Sequence, residues 1–163
     1  MDLRRLNWKR VILLLAGLYL LGRYLFSGLG VTEAQRVLLV VTRAEEAVQK
    51  KSLLGLQQVL SSDYQDRSGL SRSDILRLAA SYFRGQDSVS ILRLGSSVEF
   101  EGEDLAEVEL RIQVVGRSGG EVSLGFRDST VLGELYHLKM RKERGEWKIL
   151  SVDPEGRDWP KGF

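Results

Sequence analysis

Three groups of side chains in this chain have the types and spacing for chemistry: the pair Tyr64-x-Asp66, the single histidine His137, and four closely spaced glutamates, Glu99, Glu101, Glu107 and Glu109. A carboxylate two residues from a phenol could act as a general base beside an oxyanion donor. The pair lies in a polar stretch from Ser61 to Gly69. There a simpler role competes and is the expected one: Tyr64 packs its ring under the next helix, and Asp66 bonds local backbone amides in a turn. His137 stands between charged neighbours and reads as solvated surface. The glutamates could bind a cation. On a water-facing sheet they read more simply as a charged face balanced by Arg111, Lys139 and Arg141. Tyr82 and Phe83, with Tyr64 and Asp66, are the ligand-pocket candidates, although core packing is the expected role of Tyr82 and Phe83. The chain has no cysteine, which excludes disulfides, thiolate metal sites and a Cys nucleophile. Gly116 to Gly120 leads into no helical pattern, so no phosphate-binding loop is present. No metal and no cofactor is expected.

The elements that would position these residues come in two blocks. Thr32 and Gln35 have capping-box spacing, and Ala34, Val37, Val41, Ala44 and Val48 follow at helical intervals, predicting a long helix as far as Lys51. A shorter helix is expected over Leu53 to Leu60, weakened by Gly55. Ser71 caps a third helix with Asp74 at the reciprocal position, a stripe of Ile75, Leu78, Ala79 and Tyr82, and a stop at Gly85. From Ser88 the period becomes two. Ala106, Val108, Leu110, Ile112 and Val114 share one face, with Glu107, Glu109, Arg111 and Gln113 on the other. A three-residue loop at Gly102-Glu103-Asp104 sets Phe100 opposite Ala106 and Val98 opposite Val108, whereas a two-residue loop would turn one apolar face to water. A turn at Arg144-Gly145 pairs Met140 with Ile149, puts Leu138 and Trp147 on their face, and leaves His137, Lys148, Leu150 and Val152 on the other. The inward side chains read this way do not ionise. Another strand is expected near Val122–Phe126 or Thr130–Leu132. The fold class is α+β, with helices on the apolar face of an antiparallel sheet.

Before this domain runs an apolar segment. Residues 1–30 hold Arg4, Arg5, Lys9, Arg10 and Arg23 against Asp2, a net of +4, so residues 31–163 carry nineteen basic and twenty-one acidic groups, a net of −2. The domain is therefore not the basic surface that duplex DNA requires, and no nucleic-acid partner is expected. Trp8 to Phe26 is long enough to cross a bilayer, with Val11, Leu15 and Leu21 in its apolar body and Trp8 and Tyr24 at its interfaces. Arg23 opposes insertion by about 2.5–3.5 kcal/mol, which ten Leu, Ile, Val and Phe residues at roughly 0.3–0.6 kcal/mol each outweigh. A retained anchor over 1–30 is the favoured reading and a cleaved signal the alternative. In both, the basic flank stays inside and residues 31–163 lie outside the cytoplasm.

The order of long helix, short helix, Tyr64-x-Asp66 loop, capped helix and meandering sheet ending in Trp147-Lys148-Ile149-Leu150-Ser151-Val152 resembles the nuclear transport factor 2-like superfamily over roughly Thr32 to Asp153. The resemblance implies a cone-shaped α+β roll of about three helices on a curved sheet, enclosing a pocket, with dimers common. It also implies two kinds of function. Isomerase- and cyclase-like enzymes occur in the superfamily, for which Asp66 and Tyr64 would be base and donor. Non-catalytic members include anchored scaffold subunits of type IV secretion systems and mammalian cell entry-associated membrane proteins. A single span followed by such a domain matches the second kind. The expectation is thus a membrane-anchored binding or assembly module that is not an enzyme. Its partners would be the bilayer and either a second copy or an envelope protein. A homodimer would use the outer sheet face, where Leu105, Val115, Leu150 and Val152 interrupt the charges.

Overall fold

The computed structural model describes residues 31–124 and 133–155. Helices come first: α1 (Glu33–Gln49), α2 (Leu53–Val59) and α3 (Arg72–Gly85) precede β1 (Ser88–Phe100), β2 (Leu105–Ser118), β3 (Glu121–Leu124), β4 (Glu134–Glu143) and β5 (Glu146–Pro154). α1 turns Val37, Val40, Val41 and Ala47 into the core. Gly55, which costs α2 helix propensity, is required by packing: a Cβ there would lie 2.8 Å from the Cβ of Ala47 on α1. Ser52 compensates as N-cap, its Oγ accepting from the Gly55 amide at 3.0 Å. At the start of α3, Asp74 Oδ2 accepts from the Ser71 amide at 2.9 Å, closing the expected capping box.

The antiparallel sheet has the order β1-β2-β4-β5, with β3 continuing the β4 side of β2 beyond Ile112. Phe100 faces Ala106 and Val98 faces Val108, as the loop-length argument requires. Met140 faces Ile149 across a turn in which Arg144 (φ 51°) and Gly145 (φ 86°) are both left-handed, the conformation whose twist matches a two-residue hairpin. β3 realises the first of the two strand positions expected between the hairpins. The second, Thr130–Leu132, lies outside the described residues.

Two β-bulges correct the face assignments. Leu94 is extra on β1, between the pairs Arg93–Ile112 and Gly95–Arg111. Leu150 is extra on β5, between Ile149–Met140 and Ser151–Lys139. One inserted residue moves every side chain beyond it to the opposite face. Val152 therefore faces Leu138 on the inner side and packs against the core, not on the outer face that strict alternation assigns it. The same shift turns Ile91 and Arg93 inward.

Val37, Val41, Val108 and Met140 are the centre of a core closed by all three helices and the inner sheet face. The free edge of β5 is covered by the chain after α2, where the Ser61 and Gln65 amides donate to the Ile149 and Leu150 carbonyls at 2.9 and 3.0 Å. Covering the edge in this way removes a row of unpaired backbone groups. Among the described residues no helix is long and apolar enough to cross a membrane. The anchor positions Trp8, Val11, Leu15, Leu21, Arg23 and Tyr24 lie outside the described residues.

Candidate functional site

Between the helices and the inner sheet face lies a hollow of about 160 Å³. Its walls are apolar and include Val41 and Ala44 of α1, Leu56 of α2, Ile75 of α3 and Leu110 and Val114 of β2. The hollow is partly open to solvent, and an apolar wall of this extent suits a small apolar ligand.

Tyr64 lines the hollow and Asp66 does not. Tyr64 is 3% exposed. Burial first, then the negative charge of Asp66, raise its phenol pKa, against the backbone of Val152. The phenol therefore stays protonated throughout the physiological range, and by geometry its buried hydroxyl has no hydrogen-bond partner among the described residues. Asp66, 5% exposed, belongs to the turn that follows. Its Oδ1 accepts from the Leu70 amide at 2.9 Å, its own amide donates to the Leu70 carbonyl at 3.2 Å, and its carbonyl accepts from the Gly69 amide at 3.0 Å. Burial raises the Asp66 carboxyl above its ordinary value, and the amides of Leu70, Ser68 and Gly69 oppose that rise.

The inward strand positions carry ionisable groups after all. Arg93, turned inward by the bulge at Leu94, reaches α1: its Nε and Nη2 donate to the Glu45 carboxylate at 2.9 and 2.5 Å, and Nη2 also to Thr42 Oγ1 at 2.9 Å. Glu45 lines the hollow, and both side chains are well covered, 26% and 14% exposed for Arg93 and Glu45. At the β4 end Tyr136 also lines the hollow and donates to Glu134 Oε2 at 2.7 Å. These groups correct the expectation of an uncharged inner face. Tyr136 and Glu134 were legible, because period two carried back from Leu138 places both inward. Arg93 was hidden by the inserted Leu94, for which Gly95, a glycine inside a strand, is the one local signal.

Tyr82 and Phe83 line no part of the hollow. Phe83 is buried with Ala47 and Leu56 in a smaller cluster, and Tyr82 packs beside it with ring centroids 6.3 Å apart. His137 is half-buried on the outer face, opposite Glu109 on one strand and Asp153 on the other. In the glutamate cluster Lys139 stands opposite Glu107 as expected, but Arg141 turns away to Asp63 at 2.7 Å and Glu143 at 2.8 Å. Among the described residues no three His, Cys, Asp or Glu side chains are grouped to hold a metal.

No protein-family model matches the sequence, and no curated protein does. Solved structures do. A nuclear transport factor 2-like superfamily protein from Salmonella enterica aligns with a TM-score of 0.60 at 12% identity, over 76% of this chain and 92% of its own. The fold is nuclear transport factor 2-like. A candidate scytalone dehydratase from Novosphingobium aromaticivorans aligns with a TM-score of 0.62 at 14% identity, covering 77% of this chain and 94% of its own. A candidate ketosteroid isomerase from Shewanella frigidimarina gives 0.56 at 19%, over 74% and 94%. At these identities the likeness concerns the fold, which hosts many chemistries.

Proposed function

We propose that this nuclear transport factor 2-like domain is a binding or assembly module that takes a small apolar molecule into its hollow without acid–base catalysis. We further propose that residues 1–30 hold it at a membrane with the domain outside the cytoplasm. One observation carries the first reading: among the described residues the one carboxylate that lines the hollow, Glu45, is already held within the fold, and the buried Tyr64 hydroxyl, which has no hydrogen-bond partner there, has no base beside it in the wall. Glu45 is held by Arg93, Tyr136 by Glu134, and Asp66 is turned to its own loop. A general base has to reach the proton it removes, and no free carboxylate lines this wall. The basic flank and apolar run of residues 1–30 support the second reading.

Titrating the full chain with p-xylene tests the pocket: saturable stabilisation against heat is expected, and none at saturation refutes it. A reporter fused after Phe163 tests the topology, since activity confined to the cytoplasm overturns it. The raised Asp66 carboxyl favours a second reading, in which Asp66 is the base and Tyr64 the donor of an isomerase- or cyclase-like enzyme. In that case Asp66→Asn abolishes turnover. On the binding reading Asp66→Asn leaves p-xylene affinity unchanged.

A further inference from the structure

Two surfaces outside the hollow are complementary to each other. The β1–β2 hairpin, residues 99–109, carries Glu99, Glu101, Glu103, Asp104, Glu107 and Glu109 and no basic residue. Glu99, Glu101, Glu103 and Asp104 are exposed, and none of the four has an ion pair among the described residues. Glu99 faces Glu107 directly across the strands, an arrangement of like charges that destabilises an isolated hairpin. Among these charges Phe100 is 42% and Leu105 39% exposed.

The second surface is an open groove of about 900 Å³ between α1, α2 and β5. Arg36 and Arg43 of α1 and Lys50 in the turn just after it recur every seventh residue along one side of the groove, and Arg72 and Lys148 line the other side. Leu39 and Leu54, 48% and 66% exposed, stand among them. The three carboxylates of the groove are already bonded within the chain, Glu46 to Lys50, Glu143 to Arg141 and Glu146 to Lys148. Lys50 and Lys148 are the partners of two of these carboxylates, and the five cations against three carboxylates leave the groove a net charge of +2 on a domain whose net charge is negative.

The occupant has to be acidic with an apolar centre. The segments outside the described residues do not qualify: residues 1–30 carry +4, residues 125–132 one arginine and one aspartate, and residues 156–163 Arg157, Asp158 and Lys161. The hairpin tip does qualify. It cannot enter the groove of its own molecule, because Glu101 and Asp104 are tied into the sheet through Leu105 and Lys142 at 2.9 and 2.8 Å. Phe100 nevertheless rests 6.0 Å from Trp147, which lines the groove, so tip and groove lie side by side on one end of the domain. Adjacent complementary patches are what an isologous pair uses, each patch meeting the other's counterpart across a two-fold axis. We infer that two copies of this chain pair in that way, each acidic hairpin tip seated in the basic groove of its partner. Phe100 and Leu105 meet Leu39 and Leu54 at the centre, and the charges form the rim that sets register. With the outer sheet face this surface shares only the hairpin tip, including Leu105, and the bulge at Leu150 removes Val152 from the rest of that face.

Sedimentation of the full chain in non-ionic micelles tests it. The wild-type chain is expected to pair at low salt and to weaken at least tenfold near 1 M, where the Debye length is about 3 Å. Reversing the tip (Glu101→Lys with Glu103→Lys) or the groove (Arg43→Glu with Lys50→Glu) gives monomers. An equimolar mixture of the two variants pairs again, since both contacts of the mixed pair are then complementary. A monomeric wild type, or a mixture that stays monomeric while each variant melts like the wild type, overturns the proposal. The cysteine-free chain offers an independent readout. Glu103→Cys and Arg43→Cys chains, mixed and oxidised, cross-link to each other. Cross-linking instead between Leu92→Cys chains, through the outer sheet face, overturns it too.

Discussion

Filling the hollow should raise stability and abolish ligand binding together. The hollow of about 160 Å³ is partly open to solvent, so the gain from filling it comes from the apolar surface a larger side chain buries there. Ala44 lines it from α1 and is half-buried. Ala44→Leu adds three carbons, each worth about 0.8 kcal/mol when buried, for a gain of about 2 kcal/mol where the hollow accepts them without strain. For a domain of this size that raises Tm by several degrees. The assay is thermal unfolding of the full chain, followed by tryptophan fluorescence with and without p-xylene. A ligand at a hundredfold excess over its Kd stabilises the wild type by about 2.7 kcal/mol, and Ala44→Leu should melt higher without p-xylene and no higher with it. A variant that melts lower than the wild type and is still stabilised by p-xylene would refute both the location of the site and the reasoning. Loss of stability would mean overpacking, which costs about 1–3 kcal/mol, and hence no space beside Ala44.

Gly55→Ala should destabilise even though alanine is the better helix former by about 1 kcal/mol, because its Cβ would meet that of Ala47 at 2.8 Å; restored stability in the double variant Gly55→Ala with Ala47→Gly checks that this contact is the cause. Burial raises the Asp66 pKa, so the folded state holds that proton more tightly than the unfolded chain and this contribution to stability falls as pH rises from about 3.8 through the folded value. Asp66→Asn, whose Oδ1 can still accept from Leu70, should remove that pH dependence without loss of stability at pH 7, while Asp66→Ala should cost about 1 kcal/mol; denaturation midpoints across pH 3–8 would show equal losses for the two if this is wrong. Asp74 has the opposite sign. Its bonds to Ser71, then Arg77, lower its pKa to about 2, so its contribution is complete above the unfolded value of 3.8 and is lost as pH falls toward 2. Asp74→Asn should therefore weaken the start of α3 at neutral pH and flatten the acid limb between about 4 and 2, which circular dichroism at 222 nm reads directly.

Much of the architecture was legible in the chain because local rules settled it. The Ser71–Asp74 capping box, the helical period of Val37, Val41 and Ala44, and the two hairpin registers each rest on residues close together in sequence. At the hairpins, only one loop length keeps the apolar face whole, so Phe100–Ala106 and Met140–Ile149 follow from pattern alone. The alternation failed where a strand holds one residue more than its partner. Nothing in the alternation around Leu94 or Leu150 marks the inserted residue, since a bulge is chosen by the twist and curvature of the whole sheet.

For the candidate site the division falls in the same place. The sequence by itself determined which residue types were available: one phenol–carboxylate pair in a polar loop, one histidine, no cysteine, and a chain whose positive charge is concentrated in its first thirty residues. Only the tertiary structure decided which of them meet. Tyr64 reaches the hollow while Asp66, two residues on, is spent on the Leu70 amide, because the loop turns back before α3. Arg93 and Glu45, 48 positions apart, become a bidentate pair because a bulge reverses one face of β1 above α1. Contacts at such separation depend on how the helices pack on the sheet, which the periodicity of either element does not encode.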